Sequence, residues 1–173
     1  MLYKTLGRAV MAGALLCAPL MGGDYDHIFD VVKSTWPERT KAMAFCNKDA
    51  NQMTLLELAD TAKARNISLV IIDFKDEKVY DKTVDKAIWK KPGFVLIIDD
   101  DGLLGGKAAL TARLIARFQD KDVPVVGISP DVMKLGAVLS TGPGAADPVY
   151  GAKAIAKKMD LELPEKAVEV VAR

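Results

Sequence analysis

Phe94–Ile98 is an unbroken run of five apolar residues that ends in three consecutive carboxylates, Asp99, Asp100 and Asp101, followed at once by the glycine-rich GLLGGK of Gly102–Lys107. A run without polar alternation predicts a strand buried on both faces. Lys41–Cys46, Ser68–Phe74, Val123–Ile128 and Ala137–Thr141 are further short apolar runs bounded by polar or turn-forming residues. Between the runs the spacing becomes helical. Ile28, Val31 and Val32 mark a helix in Asp24–Thr35 that Trp36-Pro37 stops. Leu55, Leu58, Ala59 and Ala62 share one face of a helix over Leu55–Arg65, opened by a capping box of Thr54 and Glu57 with Met53 and Leu58 as its staple. Val84, Ala87 and Ile88 indicate a short helix within Asp76–Lys91, and Leu104–Gln119 packs through Ala108, Leu110, Ala112, Leu114 and Ile115. Ser129-Pro130 and Asp147-Pro148 each read as a cap followed by a first-turn proline. The first opens a one-turn helix closed by Gly136, and the second opens a last helix ending near Met159. Val168–Val171 reads as a final strand or a tail.

Strands that alternate with helices predict a three-layer, doubly wound α/β sandwich around a mainly parallel five-stranded sheet. In such a sheet, ligands bind outside the carboxyl ends of the strands. The whole of residues 24–173 is expected to form one domain. Half of the sequence is hydrophobic and only 6% aromatic, a balance that suits aliphatic α/β layers better than an all-β domain.

Met1–Gly23 stands apart. Lys4 and Arg8 give it a basic start, Ala9–Met21 is uncharged and mostly apolar, and Gly22-Gly23 offers small residues before Asp24. This is the layout of a secretory signal peptide; the run is shorter than the roughly 17–25 residues of a spanning helix, the alternative being an uncleaved anchor. Leu16 before Cys17 stands where lipoprotein processing needs a small residue. Removing Met1–Gly23 takes away two basic residues and no acid, turning a net charge of +1 into −1. A near-neutral chain has no electrostatic footprint for nucleic acid. Cys46 is then the only cysteine, so no internal disulfide can form, and the expected compartment is a periplasm.

Catalytic chemistry is sparse. Neighbouring residues on a strand point to opposite faces, so Asp99, Asp100 and Asp101 cannot all reach one ion. Ligand contact by Asp99 or Asp100, a hard-cation site and plain turn chemistry before Gly102 stay open as readings. A phosphoacceptor receiver is disfavoured, because the first strand exits into Cys46-Asn47 and the fifth into Thr141-Gly142 rather than into an acidic pair and a lysine. GLLGGK is one residue short of a phosphate loop and has Ala108 where the Ser/Thr would stand; its glycines read as a tight strand-to-helix turn. His27 is the only histidine and lies beside the export segment, so a zinc site or a Ser-His-Asp triad is hard to build. The sequence offers no credible base to activate Cys46, which reads as a small buried hydrophobe, while Trp36 and Trp89 read as packing or rim residues. No cofactor, metal or catalytic residue is expected.

Trp36-Pro37-Glu38-Arg39-Thr40 before KAMAFCN, VLIIDDD, and above all VPVVGISPDVMKLGAVLSTGPGAADPVYGAKAIAKKM resemble one lobe of the periplasmic substrate-binding proteins of ABC transporters. The group is the type 1 fold associated with tryptophan and other small organic solutes. The resemblance covers about Trp36–Val171 and rests mainly on fold-forming glycines and prolines. It implies a non-enzymatic, exported binding module, one-lobed where relatives close two lobes on a ligand. The strand-exit positions that would face the solute are Asn47, Asp73, Asp99, Asp100, Ser129, Pro130, Thr141 and Gly142. Expected partners are a small organic solute, with a second copy or another subunit completing the cleft. The alternative is a structural or regulatory subunit of a membrane or periplasmic complex.

Overall fold

A computed structural model describes residues 25–99, 102–142, 144 and 146–170. Asp100, Asp101 and the Met1–Gly23 segment lie outside the described residues. Seven strands form a single sheet in the order β2-β1-β3-β4-β5-β6-β7. β1 (Lys41–Cys46), β2 (Ser68–Asp73), β3 (Phe94–Ile97), β4 (Val125–Gly127) and β5 (Leu139–Thr141) run parallel. β6 (Val149–Gly151) is antiparallel to β5, and β7 (Val168–Glu169) pairs parallel with β6. The sheet therefore has seven strands where sequence patterning predicts five, and the parallel part is the expected one.

Pleating divides the apolar runs between two cores. Ala42, Ala44 and Cys46 of β1, with Phe94 and Leu96 of β3 and the following Ile98, face α1 (Asp26–Thr35), α2 (Gln52–Ala64) and α6 (Lys153–Lys158). Met43, Phe45, Val95 and Ile97 face α3 (Tyr80–Trp89), α4 (Ala108–Gln119) and α5 (Pro130–Lys134). The three layers follow from one fact: every residue of β3 is buried, so apolar helix faces must cover both sides. On the second side Phe45 stands edge-on to Phe74 and Phe118 at centroid distances of 6.4 and 5.5 Å. Cys46 is fully buried. In a Cys17→Ser background its thiol is expected to react with Ellman's reagent only at the rate of global unfolding, which makes it a chemical probe of opening; prompt reaction of the native protein would contradict this burial.

Two local readings are corrected, and one turn is added. α2 starts at Gln52, ahead of the Thr54/Glu57 capping box, because the Leu55 amide already donates to the Asn51 carbonyl at 2.9 Å. Its covered face carries Leu55, Leu58, Thr61 and Ala62, whereas Ala59 is exposed. Asp147-Pro148 does not open the last helix: it leads into β6, and α6 begins only at Lys153. Glu77–Val79 forms a single 3-10 turn before α3, capped by the Asp76 carboxylate, which accepts from the Lys78 amide at 2.9 Å.

α1 and α2 are clamped by Arg65, whose guanidinium donates to Asp30 at 2.6 and 2.8 Å and to Asp26 at 2.9 Å. α3 and α4 are joined by Arg117, which bonds Asp81 at 3.0 Å and also Asp85, and by Arg113 lying 3.9 Å over the Tyr80 ring.

Candidate functional site

Strand register brings the exits together. Phe45 pairs with Ile97, Ile97 with Gly127, and Gly127 with Ser140. Counting two residues beyond this level on each strand places Asn47, Asp99, Ser129 and Gly142 along one edge. The strand order turns back between β1 and β3, so a crevice opens between the loops that leave these two strands.

The centre of this edge is a hydrogen-bonded pair. The Ser129 hydroxyl donates to Asp99 Oδ2 at 2.5 Å, and the Ser140 hydroxyl donates to the Ser129 carbonyl at 2.5 Å. Ser129 and Pro130 do stand at the N-cap and the first position of α5, yet the Ser129 side chain makes no cap bond. It reaches instead to the exit of β3, and Asp99 is left half-buried with one oxygen held. Pro130 is exposed beside it, while Thr141 is buried, its hydroxyl 3.3 Å from the Gly142 carbonyl. Only Thr141's backbone end and Gly142 border the edge.

Asn47 and Asp73 serve the neighbouring loop. Asn47 Oδ1 accepts from the Asp49 amide at 3.1 Å, and its carbonyl accepts from Asn51 Nδ2 at 3.0 Å. Asp73 Oδ1 accepts from the Lys48 amide at 3.0 Å, and its other oxygen lies 3.1 Å from Lys75 Nζ. Lys75 also donates to Asp49 at 2.8 Å, and these two carboxylates, Asp49 first, raise the ammonium's pKa above its ordinary value. Farther along, Lys107 donates to Glu77 at 2.7 Å and holds that carboxyl below its usual range. Asp73 is thus tied into a charge lattice beside the edge, whereas Asp99 is held by the neutral hydroxyl of Ser129.

Asp147 joins the edge, a role that the helix-cap reading of Asp147-Pro148 does not foresee. Its Oδ2 accepts from the Gly144 amide at 2.8 Å, and its carboxylate lies so close over Gly142 that an added Cβ would meet Asp147 Cγ at 2.6 Å. The Gly-x-Gly spacing before Asp147 is the available signal. Gly142→Ala is expected to push Asp147 away and to cost about 1–3 kcal/mol, read as a lower urea midpoint; an unchanged midpoint would show that the loop yields freely.

Four surface depressions of about 360–560 Å³ lie elsewhere, the largest between α6 and residues 160–163. None of these four is lined by Asn47, Asp99, Ser129 or Thr141. Among the described residues no group of histidine, cysteine and acidic side chains could hold a metal ion, and no helix is long and apolar enough to cross a membrane.

The chain has the mostly parallel α/β fold found in substrate-binding proteins. It superposes on an ABC domain from Streptococcus pneumoniae solved in complex with L-Trp (TM-score 0.71, 12% identity, 86% of this chain and 62% of that one). It also matches a conserved domain protein from Vibrio cholerae (TM-score 0.70, 17% identity, 85% and 60%). A third match is the open, ligand-free form of a Clostridium difficile substrate-binding protein with adhesive properties (TM-score 0.69, 12% identity, 84% and 59%). The chain spans about three fifths of the length of these structures. No family model and no curated protein matches the sequence.

Proposed function

We propose that this chain is an exported, non-enzymatic binding module that holds a small organic solute on the ledge formed by the strand exits. The observation that carries the reading is the Asp99–Ser129 pair at the β3 and β4 exits. A carboxylate held by one neutral hydroxyl keeps acceptor capacity for an ammonium or hydroxyl group of a solute. Support comes from the fold, shared with a substrate-binding protein and with an ABC domain solved in complex with L-Trp. Tight small-molecule sites bury about 70–90% of the ligand, and this chain spans only about three fifths of the structures it matches. A second copy or another subunit completes the cleft, with Asn47, Pro130, Gly142 and Asp147 flanking Asp99 on this side. Met1–Gly23 acts as the export signal.

Thermal-shift screening followed by calorimetry, against amino acids and small aromatic or organic acids, tests the reading. A ligand that binds the folded state raises its unfolding temperature. Asp99→Ala is expected to weaken the hit by about 10- to 100-fold, the worth of a charged hydrogen bond. A folded sample with no hit in any class overturns the proposal, as does a hit that Asp99→Ala leaves unchanged.

A further inference from the structure

We propose that the outer face of α3 docks onto an anionic phospholipid surface. Lys82, Lys86 and Trp89 follow i, i+4, i+7 spacing and so share one side of this helix. The opposite side carries Tyr80, Val84 and Ala87, all buried against the core. Lys82, Lys86 and Lys90 are exposed, and Trp89 is 84% exposed, more than any other large hydrophobic residue described. Val79, at the end of the preceding 3-10 turn, is 45% exposed at the other end of the row.

The helix's acids do not neutralise this row. Asp81 and Asp85 lie between the two faces and are bound by Arg117 of α4. Among the described residues Lys82, Lys86 and Lys90 make no ion pair, a property they share with other surface lysines such as Lys157, Lys158 and Lys166; the exposed indole in the same row sets the α3 lysines apart. The result is a cationic strip with an apolar residue at each end. An indole prefers the headgroup level of a bilayer, where its body is shielded and its N–H stays wet. Lysines beside it extend their chains along the apolar boundary and place their charges among lipid phosphates. Three lysines flanking an exposed indole on one helix face suit a flat anionic surface rather than a nucleic-acid duplex. This inference is independent of the solute-binding reading.

The full chain is mixed with vesicles of phosphatidylglycerol and phosphatidylcholine, and with vesicles of phosphatidylcholine alone. Binding is read by co-sedimentation and by quenching of tryptophan fluorescence with brominated lipid. Trp36 is 3% exposed, its Nε1 donating to the Glu162 carbonyl, so the quenched signal comes from Trp89. The expected result is binding that needs the anionic lipid, weakens in salt, and falls about 100-fold in Lys82→Gln/Lys86→Gln/Lys90→Gln. Quenching is lost in Trp89→Ala. These variants share the intact apolar Ala9–Met21 run, so lipid affinity of that run cannot mimic a difference between them. Equal binding to uncharged vesicles overturns the proposal. So does retention of binding and quenching in the triple variant, or lysine-dependent binding to duplex DNA or an acidic protein without vesicle binding.

Discussion

Phe45→Ala is expected to lower the free energy of unfolding by about 3–5 kcal/mol, a large share of the roughly 5–15 kcal/mol that holds a typical domain together. The site justifies the upper part of this range. Phe45 is fully buried in a strand hydrogen-bonded on both sides, to Ile72 of β2 and Ile97 of β3 in register. Its ring meets Phe74, at the exit of β2, and Phe118 of α4 edge-on. Truncation thus removes two aromatic contacts as well as buried area. The surrounding backbone is sheet on one side and helix on the other, so the void can close only slightly. Urea unfolding should show a lower midpoint at an unchanged slope. Met53→Ala is the contrast, since Met53 is 71% exposed and its loss should stay within about 0.5 kcal/mol. Equal effects of the two changes would mean that the second core is placed wrongly.

Gly127→Ala is the second large effect, and it should act on stability and on the ledge together. A Cβ at Gly127 would lie 2.6 Å from Val132 Cβ and 3.2 Å from the Ser129 carbonyl oxygen. Neither neighbour is the far end of a long side chain, so α5 must move away from β4. Overpacking of this kind costs about 1–3 kcal/mol. The same carbonyl accepts from Ser140, and the same residue's hydroxyl holds Asp99. A shift of α5 therefore breaks the polar geometry at the ledge, and solute affinity should fall along with the urea midpoint. Gly102→Ala, where nothing lies within 4 Å of the added carbon, should leave the midpoint unchanged. A stable Gly127→Ala protein with full ligand response would remove Ser129 from the site.

Much of the scaffold is legible in the residue order. The parallel arrangement of five strands follows from apolar runs alternating with helical spacing, and β1 at Lys41–Cys46 coincides with its expected bounds. β6 is not legible as a strand, because three residues are too short to carry a period, while β7 lies within Val168–Val171, where the residue order leaves strand and tail equally open. Asp147-Pro148 carries a signal that serves a helix start or a turn equally well, and only pairing with β5 decides between them.

The amino-acid order by itself determined the three layers and the edge at which polar residues gather, because burial of Phe94–Ile98 on both faces leaves no other arrangement for the neighbouring helices. Tertiary structure decided what each polar residue does there. Ser129 had the local chemistry of a helix cap, yet its hydroxyl turned to a carboxylate thirty residues earlier in the chain. Asp73 went to Lys75 and the Lys48 amide, and Asp147 folded back over Gly142. Local propensity fixes where a chain bends; which donor meets which acceptor depends on distances that exist only once the sheet has closed.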